Sequence, residues 1–188
     1  MENKEQITTM PNIPVDFLLN KFQHSDGDIY MCGDETLTNC IDSTKVHCMV
    51  NEEDAATYKK IICFEVFRYY GEELNKFFIT IYHKLAVGSE IVIVTRPTIL
   101  FGSEYKELRT QWLENGAIRE VYDLGGGWIN QPGVALVVVV LQKQERKKSF
   151  FSSTPQNREV RFVDLATYAK TNSLTNQQMC DLLCKPNL

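Results

Sequence analysis

Cysteine and histidine are the first residues to weigh for chemistry, because thiolates and imidazoles bind metals and serve as nucleophiles or bases. Cys32, Cys40 and Cys48 recur at intervals of eight, with His47 beside the last. No Cys-x-x-Cys pair accompanies them, so reduced and partly buried thiols are the expectation here, and no metal is expected. His24, His47 and His83 are scattered along the chain. His83 falls beside the apolar stripe of a predicted helix, where a half-buried structural histidine is the ordinary case. The sequence contains no GxSxG, HExxH or P-loop pattern. Gly125-Gly-Gly127 precedes a strand instead of the helix N-terminus that a phosphate cradle needs, which predicts a flexible hairpin loop. Trp128 in that loop either lids the core or contacts a base or partner.

Charge is unevenly spread over a chain of formal net charge -4. Eight acidic side chains and one Lys lie between His24 and Asp54, whereas Lys143, Arg146, Lys147, Lys148, Arg158 and Arg161 oppose only Glu145 and Glu159 in the segment that follows Leu141. The basic segment is a solvated loop, or else a local patch that contacts phosphates or a partner through Lys143, Arg146, Lys147, Lys148 and Arg158. The net charge itself argues against coating nucleic acid by bulk charge.

These residues need a scaffold, and 188 residues with 44% hydrophobic side chains suffice for one domain with a real core. No apolar run reaches the ~18 residues of a membrane span, and the polar N-terminus lacks a secretion signal, so a cytoplasmic location is expected. Pro14 and the apolar residues after it predict a helix through Phe22. Ile29 to Cys32 and Val46 to Val50 read as strands, and Asp54 to Tyr70 as a helix. Leu74, Phe77, Phe78, Ile81, Tyr82 and Leu85 form a broad helical stripe. Ile91 to Thr95 is apolar on both alternations, as in a strand covered on both faces. Ser103 is positioned to cap a helix over 104–115 with Tyr105, Leu108 and Trp112 on its buried side. Ile118 to Leu124 and Ala135 to Leu141 read as an antiparallel hairpin. Order is expected to return at Val160 to Val163, and Thr175 with Gln178 forms a capping box for a terminal helix. The fold class expected is α/β and three-layered, mostly parallel with a C-terminal antiparallel hairpin at one edge.

The series Gly88, Ile91 to Val94, Pro97, Leu108-Arg109, Trp112-Leu113-Glu114, Ile118, Val121, Leu124, Gly127, Gly133-Val134, Val137 to Leu141 and Lys143 carries a resemblance. It resembles the later part of the N6-adenine DNA methyltransferase domain of type I restriction-modification systems, over about Leu74 to Lys143. The resemblance implies a partial Rossmann-like, methyltransferase-like sheet in a single domain over 1–143. An N-terminal helix and loop would fill 1–28, an exposed basic loop 144–159, and a strand and helix 160–188.

That family binds S-adenosylmethionine through a glycine-rich turn and grips a flipped adenine with Asn/Asp-Pro-Pro-Tyr/Phe after its fourth strand. No glycine-rich strand-to-helix turn occurs in 1–87. Gly33-Asp34-Glu35-Thr36-Leu37 is similar to the family's GD.L segment, and Val50-Asn51-Glu52-Glu53-Asp54 is placed where the adenine-gripping motif would stand. On that register Asn51 is retained, or simply caps a helix, while Glu52, Glu53 and Asp54 replace the prolines and the aromatic. The resemblance therefore implies an inactive adapter that binds protein or DNA, with no cofactor, self-association or a partner chain, and no membrane. The alternative is an active S-adenosylmethionine-dependent DNA methyltransferase with a divergent or partner-completed site, using Asn51 in catalysis and Asp34 at the cofactor.

Overall fold

A computed structural model describes residues 29–32, 58–63, 72–114, 118–128, 133–144, 159–175 and 178–179. The strands are β1 (Ile29–Cys32), β2 (Lys60–Cys63), β3 (Glu90–Thr95), β4 (Ile118–Gly126), β5 (Ala135–Gln142) and β6 (Arg161–Asp164). The helices are α1 (Glu72–Lys84), the single turn α2 (Thr98–Phe101), α3 (Lys106–Glu114) and α4 (Leu165–Thr171). The strands form one sheet in the order β1-β2-β3-β5-β4-β6. The β1–β2, β2–β3 and β4–β6 pairs are parallel, whereas β5 runs antiparallel to both of its neighbours. This is the mixed α/β sheet expected of a methyltransferase-like fold.

The apolar strands are buried on both faces. Ile61, Cys63, Ile91, Ile93, Val121, Val137, Val139 and Leu141 join a cluster with Phe78, Ile81 and Tyr82 of α1, Leu85 just after it, and Leu108 and Trp112 of α3. Phe78 meets Trp112 edge-on, with ring centroids 6.0 Å apart, the geometry the ring quadrupoles favour. Alternate residues Ile62, Val92, Val94, Val138 and Val140 are buried as well. That double burial is why Ile91–Val94 and Val137–Leu141 carry no polar alternation.

Several expectations need correction. Lys60–Cys63, placed in a helix over 54–70, is a strand with every residue buried. A four-residue apolar run has no period that separates strand from buried helix, and pairing with β3 decides it. The helix expected over 104–115 starts later and differently: Ser103 is not its cap but the first residue of a 3-10 turn, Ser103–Tyr105, whose N-cap is Gly102 with no side-chain hydrogen bond, and α3 follows from Lys106, while the single turn α2 lies before the expected span. The β4–β5 hairpin is present but is not the sheet edge, because β5 inserts between β3 and β4 and β6 pairs outside β4. Helix α4 was not anticipated. The capping box is formed, with Gln178 N donating to Thr175 Oγ1 (3.2 Å) and Thr175 N donating to Gln178 Oε1 (2.9 Å). The helix ending at Phe22 and the strand Val46 to Val50 lie outside the described residues.

Three contacts hold this arrangement at its margins. Lys143, just past β5, donates from Nζ to the carbonyl of Tyr82 (2.7 Å) and lies 4.4 Å from the Tyr82 ring centroid. It thereby satisfies a carbonyl at the C-terminal end of α1, where positive charge is favoured. Gly125 has φ +70, and a Cβ there would stand 2.9 Å from the Cβ of Ala166 in α4. Buried Tyr122 donates from its hydroxyl to the Glu120 carboxylate, two residues away on the same strand face. Burial first, and then the Glu120 carboxylate, hold its phenol well above the usual range.

Gly125→Ala should destabilise the fold by about 2–4 kcal/mol in denaturant unfolding, because it adds left-handed backbone strain to a clash with α4. Lys143→Met should cost about 1 kcal/mol, measured the same way, through the loss of the charged helix contact. In a spectrophotometric titration, Tyr122 should ionise above the ordinary tyrosine range, and Tyr122→Phe should delete that late step. The sign follows from the raised folded-state pKa: the stabilisation is complete below the ordinary tyrosine value of about 10 and is lost as pH rises through the folded value.

Candidate functional site

Ligands of open α/β sheets sit beyond the carboxyl ends of the parallel strands. Here β1, β2 and β3 end at Cys32, Cys63 and Thr95, all at one edge of the sheet. Strand β4, antiparallel to β5 as β3 is, brings Asp123 and the glycine-rich turn to the same edge, since Thr95 and Asp123 both register with Val137. The sequence segments leaving this edge are Gly33-Asp34 after β1, Phe64-Glu65-Val66-Phe67 after β2 and Arg96-Pro97 after β3.

Local geometry fixes the described part of this rim. The Thr95 side chain is buried, as is that of Cys63. Arg109 Nη1 donates to the Ile99 carbonyl at 2.9 Å, tying α3 to the turn after β3. Asn75 of α1 holds the following segment by donating from Nδ2 to the Glu104 carbonyl at 2.6 Å. Asp123 Oδ1 accepts from Gly125 N at 3.0 Å and closes the turn at the end of β4. On the opposite edge, Lys60 pairs with Glu90 across β2 and β3 at 3.4 Å, so this ion pair is remote from the carboxyl ends. Among the described residues no group of three or more His, Cys, Asp or Glu could hold a metal ion.

The residues expected to act fall into two groups. Asp34 stands two positions after β1 in sequence, and Asn51, Arg146, Lys147, Lys148 and Arg158 are likewise outside the described residues. Asn51 follows Val46 to Val50, which also lies outside the described residues, whereas the strand that pairs with β3 is β2, followed in sequence by Phe64 to Phe67. Trp128 and Lys143 are described, and each makes a hydrogen bond within the chain. Trp128 is 1% exposed and its Nε1 donates to the Leu124 carbonyl at 2.6 Å, so it lids the core. Lys143 is committed to the end of α1, where burial lowers its pKa. The glycine turn likewise serves packing, with Gly125 against Ala166.

Sequence reasoning missed Phe64-Glu65-Val66-Phe67. Its signal was available, since Lys60-Ile-Ile-Cys63 is an apolar run followed by four residues that end in an aromatic.

No known protein family matches the chain, and no curated protein matches it by sequence. Among solved structures, it is similar to a Listeria monocytogenes protein described as a class I S-adenosylmethionine-dependent methyltransferase, with TM-score 0.56 and 13% identity over 95% of this chain and 72% of that one. It is also similar to the type I restriction-modification system methyltransferase subunit of Streptococcus thermophilus, with TM-score 0.56 and 14% identity over 83% of this chain. The match covers only 47% of that subunit's own length. At these identities the likeness is one of fold: the chain has the methyltransferase-like α/β fold.

Proposed function

We propose that this chain is a methyltransferase-like module that transfers no methyl group and works as an adapter by binding a partner protein. The observation that carries this reading is the sequence leaving β2. In the family it resembles, the strand at this place is followed by Asn/Asp-Pro-Pro-Tyr/Phe, whose polar side chain and neighbouring carbonyl bond the adenine amino group. Here Phe64-Glu65-Val66-Phe67 keeps only the final aromatic. Phe64 offers no acceptor for an amino group, and Glu65 adds negative charge where a polyanion would have to approach. Gly33-Asp34 after β1 is the one remaining echo of a cofactor-side segment.

A protein partner is favoured over DNA by the engagement of the basic side chains. Of the six between Gln142 and Arg161, Lys143 is bound to the end of α1, and Arg161 stands opposite Glu120 in the β4–β6 register. Each such engagement removes a cation from a phosphate-binding stripe, and a sequence-independent DNA contact depends on the number of phosphates neutralised.

Calorimetric titration of the full chain with S-adenosylmethionine tests the reading, with no saturable heat expected up to about 1 mM ligand, the weakest affinity such a titration would follow. A clear binding isotherm would sink the non-catalytic assignment and favour the active, divergent enzyme. Duplex DNA binding that weakens with salt and falls on charge reversal of Arg146, Lys147 and Lys148 would replace the protein partner by DNA.

A further inference from the structure

We infer that the outer edge of β6 is self-complementary and pairs, antiparallel and about a twofold axis, with β6 of a second copy of this chain. Among the described residues β6 ends the sheet, paired on one side to β4. An edge strand offers a row of backbone donors and acceptors, and stable monomers usually blunt it with proline, lysine, a bulge or a covering element. Residues 159–164 contain neither proline nor lysine, and the register shifts of β4 fall on its β5 side, leaving the β4–β6 ladder regular. Phe162 of β6 is 60% exposed and Val160, the residue just before the strand, is 43% exposed, an unusual outlay of apolar surface on so short a segment.

The order of side chains selects the occupant. On an extended strand Val160 and Phe162 share one face and Glu159 and Arg161 the other. Two antiparallel copies with Val160 on the twofold axis place Glu159 of each opposite Arg161 of the other, on one face. On the opposite face the two Val160 side chains meet, each with Phe162 of the other copy as diagonal neighbour, the distance over which aromatic side chains still touch. Arg161 already stands opposite Glu120 within its own chain. The second copy would extend that pair to an alternating ladder of Glu120, Arg161 and Glu159 across three strands. A like-charged or unrelated strand would lack this match, and a twofold closes the assembly by using the β6 edge of both copies at once. The inference does not depend on whether the chain transfers methyl groups.

So few paired residues make an interface smaller than the standard ~1,600 Å², so a dimer in the micromolar range is the expectation. Sedimentation equilibrium of the full chain up to about 200 μM should show a monomer–dimer equilibrium. Glu159→Arg, which sets like charges opposite Arg161 in both copies, should weaken the dimer at least about tenfold while leaving the thermal melt unchanged, because Glu159 is exposed. An equimolar mixture of Glu159→Arg with Arg161→Glu chains should dimerise again, since each then meets opposite charge. A monomeric parent at the highest concentration overturns the inference, as does an undiminished Glu159→Arg dimer. If Arg161→Glu melts below the parent, the comparison of Glu159→Arg with the parent decides alone.

Discussion

The placement of β5 between β3 and β4 is the constraint on which the rest of this structure depends. A six-residue ladder from Glu90↔Gln142 to Thr95↔Val137 joins β5 to β3, and β4 lies on its other side. With β5 in the interior, its run of valines is enclosed laterally by two strands and on its faces by side chains, so every backbone group has a partner and every side chain a neighbour. The helices follow from this. The segment after β3 must cross over β5 to reach β4, which lays α3 and its Trp112 on the sheet beside Phe78 of α1.

Much of this was legible in the sequence. The α1 stripe, the β3 strand and the β4–β5 hairpin announce themselves by period and by β-branched composition. The error at Lys60–Cys63 had a physical source, because a buried parallel strand is uniformly apolar and its identity lies in its pairing with residues thirty positions away. The position of β5 within the sheet was hidden for the same reason: local pattern shows that a hairpin forms and is silent on which of its strands docks on β3. Sequence also cannot tell a loop tryptophan that folds inward from one that faces out. Trp128 resolves the matter with one hydrogen bond to a carbonyl four residues back.

Fold and chemistry separate in this chain. The residues shared with methyltransferases occupy cores, caps and turns, so they transmit architecture. What would carry chemistry is the wording of the segments that leave the carboxyl ends of the strands, such as Phe64 to Phe67 after the fully buried β2. A sheet of this kind presents loops in a fixed array whatever those loops can do, which makes it a serviceable frame for recognition.

Lys143 also ties the chain back on itself. Its backbone NH donates to the Ser89 carbonyl and its carbonyl accepts from Gly88 NH, each at 2.8 Å, while its ammonium holds the Tyr82 carbonyl. The stretch from the end of α1 to the end of β5 therefore starts and finishes at one place, like a loop of cord tied at its ends, and a segment closed in this way keeps its shape whatever the chain on either side does.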